Sequence, residues 1–277
     1  MLEYLIMRAS NIRGAALTLS ESLQAPHLRC LALRNFVLPT GSQLITTAVG
    51  IVTFCLIMDH PTTYVPPNAL LQWISFIPQL ETLMIGFSFP VPNHHMERQS
   101  THTSTITHVT HPNLSSFRFR GVSAYLEAVL RRIVTPRLEK FSIQLFKQLT
   151  FSVPSLVQFM NTTEILRFDG AHLKFYSDHV HVNFYPYEGA NPFFLIYVDC
   201  WHVDWQVSSV VQLFDSLGQI LSTLEHLTLE HEVHSQSSEE HNGVDRTEWR
   251  KLLRSFGNVT TLHVGDGIVK DISRCLQ

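Results

Sequence analysis

Charge is scarce in this chain. Asp, Glu, Lys and Arg make up only 16% of its 277 residues, and the net charge is -3 with histidine neutral. There is no basic excess of the kind that draws nucleic acid or an anionic membrane surface, so neither is expected as a partner. Cysteine is sparse too. Cys30, Cys55, Cys200 and Cys275 stand far apart with no Cys-x-x-Cys pair, a pattern that suits reduced thiols in an intracellular protein, cytoplasmic or nuclear. Long apolar runs are missing: the longest, Leu44–Met58, holds three threonines and is split by Gly50. A spanning helix needs about 20 apolar residues, so no membrane segment is expected. Catalytic signatures are missing as well. There is no Gly-x-Ser-x-Gly elbow, no phosphate-cradling glycine loop and no His-Glu-x-x-His, and the carboxylates form no pair fixed by spacing. The expectation is a protein that is not an enzyme, with no cofactor and no metal centre.

What is present is a repeat. Pro78–Ile85 reads Pro-x-Φ-x-x-Φ-x-Φ, with Φ apolar, and the same skeleton returns at Pro26–Leu33, Pro112–Phe119 and Pro136–Ile143. Without the proline it returns at Leu2–Met7, Ile51–Leu56, Leu224–Leu229 and Val259–Val264, and more loosely at Thr163–Phe168. Repeats begin at positions 2, 28, 51, 80, 114, 138, 163, 224 and 259, with Phe193–Val198 a drifted member inside the longest gap. The better-preserved spacings fall within the roughly 20–29 residues of leucine-rich repeats. Side chains alternate along a strand, so the last two apolar residues of each skeleton share one face. One repeat cannot bury that face alone, whereas stacked neighbours make a continuous core. The pattern predicts an α/β fold over residues 1–277: a single irregular leucine-rich-repeat solenoid of about ten units, with a strand ladder on one face and helices on the other. The chain opens directly on a repeat strand with no polar capping repeat, which reads as truncation at the N-terminus.

Helical spacing places helices over Asn11–Leu23, Gly41–Val49, Ala69–Phe76 with Asn68 as cap, Ser123–Ile133 with Ser123 as cap, Ser155–Met160 behind Pro154, Gln206–Leu221, Thr247–Phe256 and Val269–Leu276. Two stretches without periodicity, near 87–111 and 231–243, read as insertion loops. The first holds His94, His95, His102, His108 and His111, expected to be solvated. His179–Phe184 alternates and, with Phe193–Val198, reads as a hairpin-like elaboration; its His179 and His181 share a face as surface residues. Conventional leucine-rich repeats carry Asn or Cys in the turn after the strand. Here those positions include Asp59, Ser88 and Glu232, so no asparagine ladder is expected.

Residues between the apolar ones point away from the core. Three neighbouring repeats then present Ser116, Arg118 and Arg120; Lys140, Ser142 and Gln144; and Ile165, Arg167 and Asp169. Stacked about 4.8 Å apart, they would gather Arg118, Arg120, Lys140 and Arg167 into one basic patch, flanked by Ile57 and Met84. Such a concave face suits an acidic protein segment, with arginine forks binding carboxylates and the apolar flank supplying area.

The segments Leu70–Ile85, Phe117–Ile143, Asp204–Leu229 and Glu248–Leu276 resemble the leucine-rich-repeat region of fungal (basidiomycete) F-box-like proteins. The words that carry the resemblance are Pro-Gln-Leu-Glu-Thr-Leu, Phe-Arg-Gly-Val-Ser-Ala-Tyr-Leu-Glu, Asp-Trp-Gln-Val-Ser-Ser and Ser-Thr-Leu-Glu-His-Leu, in that order. The resemblance implies repeats that present a protein substrate to a cullin-type ubiquitin ligase. It implies ligase subunits as partners only if an F-box lies upstream, because nothing before Leu28 reads as that module. The alternative is a stand-alone recognition or scaffold protein with no ubiquitin role.

Overall fold

Alternation decides the strands. In the computed structural model, which describes residues 2–9, 17–39, 41–89, 108–146, 148, 150–163, 168–187, 190–191, 193–232 and 246–276, the apolar skeletons other than Thr163–Phe168 form strands, most of them starting about two residues late. The first apolar residue (Leu28, Ile51, Leu80, Leu114, Leu138 or Leu224) lies in the turn before the strand and is fully buried. The next two face the core, as in the pairs Leu31 and Leu33, Phe54 and Leu56, Leu83 and Ile85, and Phe117 and Phe119; none of these is more than 3% exposed.

The chain folds as two compact units, Met1–Phe141 and Ser142–Gln277. The first contains β1 (Tyr4–Arg8), β2 (Leu17–Thr18), β3 (Cys30–Arg34), β4 (Phe36–Val37), β5 (Thr53–Met58), β6 (Thr82–Phe87), β7 (Val109–Thr110), β8 (Ser116–Gly121) and β9 (Ile133–Val134). Strand β10 (Lys140–Leu145) spans the boundary in sequence. Strands β1, β3, β5, β6 and β8 lie side by side in that order, all parallel. Helices α1 (Gln43–Thr47), α2 (Pro67–Ser75) and α3 (Ser123–Leu130) lie between strands in sequence, the crossover that parallel pairing requires. Their apolar faces join the core through Leu70, Leu71 and Ile74 and through Tyr125, Leu126 and Val129. The Tyr125 ring stacks on Phe119, and its hydroxyl donates to Val65 O at 3.0 Å.

The register has a local cause that repeats. The carbonyl of the residue before each strand accepts two successive amides of the next repeat: Glu3 from Arg29 and Cys30, Arg29 from Val52 and Thr53, Val52 from Glu81 and Thr82, and Glu81 from Ser115 and Ser116. Each repeat thereby fixes the start of its neighbour. The turns after β3, β5 and β6 are joined by a mixed polar ladder of one asparagine, one aspartate and one serine. Asn35, at φ 63°, accepts the Asp59 amide and donates to Asp59 Oδ2 and Ala9 O, while Ser88 Oγ donates to Asp59 Oδ1.

The second unit holds β11 (Gly170–Phe175), β12 (His179–Tyr185), β13 (Phe194–Asp199), β14 (His226–His231) and β15 (Thr261–Val264) in the order β13-β12-β11-β14-β15. The meander β11–β12–β13 is antiparallel, and β14 and β15 follow β11 in parallel. Its helices are α4 (Pro154–Thr162), α5 (Val203–Leu221), α6 (Arg246–Arg254) and α7 (Val269–Leu276). The pre-strand bonding recurs: Asp169 O accepts from Glu225 and His226, and Glu225 O from Thr260 and Thr261.

Several expectations are corrected. The described end of the Asn11–Leu23 helix is strand β2, because Leu17–Thr18 pairs with Phe36–Val37 and finds its hydrogen bonds laterally. Asn68 does not cap α2, which begins at Pro67; its Oδ1 accepts from Arg132 instead. Ser123 is the first helical residue of α3, with Val122 at the cap. Within Thr163–Phe168, residues 164–167 lie outside the described set; Thr163 caps the end of α4 and the strand that follows is β11. The insertion residues 90–107 and 233–245 also lie outside it. Of the loop histidines that are described, His108 is exposed, but His111 is buried.

Candidate functional site

Two sheet faces carry the polar chemistry. In the first unit the outward residues form three registered rows across β1, β3, β5, β6 and β8. They run Tyr4-Cys30-Thr53-Thr82-Ser116, Ile6-Ala32-Cys55-Met84-Arg118 and Arg8-Arg34-Ile57-Gly86-Arg120. Met84 therefore stands beside Arg118, and Ile57 is separated from Arg120 only by Gly86. The rows contain four arginines and no carboxylate. Arg8, Arg118 and Arg120 are exposed, while Arg34 Nε is held by Asp59 Oδ2 at 2.5 Å. That guanidinium also helps to keep the Asp59 carboxyl below its usual range, against the opposing effect of burial. Lys140 opens β10 next to β8, its amide bonded to Ser115 O, and its side chain is exposed. Burial raises the thiols of Cys30 and Cys55, which makes them poor nucleophiles on this face. Of the residues expected in the basic patch, Ile57, Met84, Arg118, Arg120 and Lys140 lie on these strands, and Arg167 lies outside the described residues.

The second unit presents a different surface. Its outward rows read Tyr185-Gly170-His226-Thr261, then Leu195-Asn183-His172-Thr228-His263, then Tyr197-His181-Lys174-Glu230. His181 stacks on Tyr197 with ring centroids 4.0 Å apart. Burial first, then the positive charge of His179, His172 and Lys174, lowers its pKa from 6.5 to about 4, so it is neutral at physiological pH. Lys174 pairs with Glu232 at 2.9 Å and lies over the Tyr176 ring. His172 Nε2 is 3.1 Å from Glu230 Oε2 without hydrogen-bond geometry, an ion pair once the ring is protonated.

Gly170 leaves a gap in this face. A cavity of about 260 Å³ opens over it, walled by Tyr185 and His226 in its own row and by His172, Thr228 and His263 in the next. At the entry end of these strands, one ligand atom each from Asp169, Glu225 and His226 lies within 4.8 Å of the others. No sequence motif marks these residues, because Asp169 stands just before β11 while Glu225 and His226 stand at the start of β14, distant in sequence. The recurring pre-strand position is the one signal that would have aligned Asp169 with Glu225.

Scans against family models, curated proteins and solved structures return no match to this chain. Among the described residues no helix is long and apolar enough to cross a membrane.

Proposed function

We propose that the strand-and-helix repeats are those of an irregular leucine-rich-repeat solenoid and that the protein works by protein–protein recognition. The first unit's outward face would take an acidic segment of the partner. One observation carries this reading: five registered strands expose four arginines, Arg34 among them paired with Asp59 just after β5, beside an apolar row from Ile6 to Met84, with no carboxylate in the three registered rows. Arginine forks bind carboxylates in charge-assisted pairs, and Met84 and Ile57 offer apolar area next to them. The resemblance to fungal F-box-like proteins extends the proposal: the captured segment belongs to a substrate presented to a cullin-type ubiquitin ligase.

The test is affinity capture from source-cell lysate, with partners identified by mass spectrometry, using the wild-type chain and an Arg118→Glu/Arg120→Glu variant. Both side chains are exposed, so thermal stability should change little. A partner retained by the wild type and lost by the variant supports the recognition face, and ligase subunits among the retained proteins support the adaptor role. Capture that is identical for both chains would overturn the assignment of this face.

A further inference from the structure

The geometry points to a divalent transition-metal site at Asp169, Glu225 and His226 in the second unit. The backbone builds it. Asp169 and Glu225 occupy equivalent positions before β11 and β14, because the Asp169 carbonyl accepts the amides of Glu225 and His226 at 2.8 and 3.1 Å. Glu225 is fixed in turn through its own carbonyl, which accepts from Thr260 and Thr261. Two carboxylates are thus set side by side by main-chain bonding and not by any attraction between them. Their repulsion favours a cation between them.

The third donor is an imidazole, with His226 Nε2 4.0 Å from Asp169 Oδ2. Zinc binds carboxylate oxygen and imidazole nitrogen at about 2.0–2.2 Å, so donors on one ion stand up to about 4.4 Å apart. The observed separations, all within 4.8 Å, close to that range through small side-chain rotations. Two oxygens and one nitrogen suit zinc, cobalt or manganese better than calcium, which takes 6–8 oxygens.

The cavity over Gly170 adjoins the site through His226, which lines it. Gly170 is the neighbour of Asp169 in sequence and of His226 across the ladder. A Cβ placed there would lie 3.5 Å from the His226 Cβ, in space that the glycine leaves to the cavity. Three protein donors leave a coordination position for water or for a small anionic ligand. His172 and His263 line the same cavity and lie in the row beyond His226.

The experiment titrates the chelator-treated full chain with Zn²⁺ by calorimetry and with Co²⁺ by visible absorption. The expected result is one saturable site per chain. Asp169→Asn, Glu225→Gln and His226→Ala should each weaken it by about tenfold or more, while His172→Ala and His263→Ala leave it unchanged. Matched metal-free melting curves establish that every variant is folded. Absence of saturable binding overturns the site. So does binding that survives the three ligand substitutions, or binding that His172→Ala abolishes, since the ion would then be held by the histidine face at large.

Discussion

Lowering the pH should destabilise this protein through one buried histidine. His111 follows β7; its amide bonds to Val134 O at 2.9 Å and its carbonyl accepts from Leu114 at 3.3 Å, so the main chain holds it in place. The side chain is 1% exposed, and neither ring nitrogen has a hydrogen-bond partner among the described residues. Burial lowers its pKa from 6.5 to about 4. The sign follows from linkage. Above pH 6.5 the ring is neutral in both folded and unfolded chains and contributes no dependence on pH. Below pH 6.5 the unfolded chain takes up a proton that the folded chain refuses, until pH falls through about 4. A gap of about 2.5 units at about 1.36 kcal/mol each amounts to about 3 kcal/mol lost over that window. That is a large part of the about 5–15 kcal/mol by which domains are usually stable. Urea unfolding of the wild type and of His111→Leu at pH 7, 5.5 and 4 isolates the effect, because His181 and the carboxylates titrate alike in both and cancel in the difference. Leucine also removes two buried polar atoms without partners, so the variant should be no less stable than wild type at pH 7. Its advantage should grow by about 3 kcal/mol on going to pH 4. A difference that stays constant across the series would refute the reasoning.

Two further substitutions test the devices that hold the repeats together. Asn35→Ala removes three hydrogen bonds and leaves a side chain at φ 63°, so it should cost about 2–3 kcal/mol. Asn35→Gly tolerates that φ and should cost visibly less in the same denaturation assay; equal losses would mean the backbone conformation contributes nothing. Gln206 is fully buried, and its Nε2 donates to Tyr176 O and Cys200 O, both at 2.8 Å. Gln206→Leu strands both carbonyls and should cost about 2–4 kcal/mol. A melting temperature unchanged from wild type would show that water or another donor replaces the amide.

The strands were legible where burial imposes alternation. Leu31 and Leu33 or Leu83 and Ile85 must face the core, and the turn residues Leu28 and Leu80 must be buried before them, so the skeleton repeats in sequence. Strand β11 follows the same rule through Ala171, Leu173 and Phe175. It was hidden because a similar pattern at Thr163–Phe168 stands just before it and because its first inward residue is only an alanine. Helix starts were less legible, since Pro66 and Val122 take the cap positions that Asn68 and Ser123 would fill by propensity. Burial of His111 left no mark at all. A histidine among threonines reads as solvated, and the hydrogen bonds that draw it inward come from Val134 and Leu114, one of them well beyond the local window.

The same geometry explains why chemistry is harder to read from this chain than architecture. An inward position is constrained by packing, so its residue type reports its location. An outward position is constrained by nothing in the core, and its neighbours across the ladder come from repeats more than twenty residues away. Met84 meets Arg118, and Asp169 meets Glu225, only once the pre-strand carbonyls have set the register. Those carbonyls act through the backbone and do not depend on the side chain, as the series Glu3, Arg29, Val52, Glu81 makes plain. A scaffold registered by main-chain bonds leaves its outward rows free to diverge. It therefore carries arginine beside apolar residues on one unit and histidine beside tyrosine and carboxylates on the other, with inward rows of the same kind beneath both.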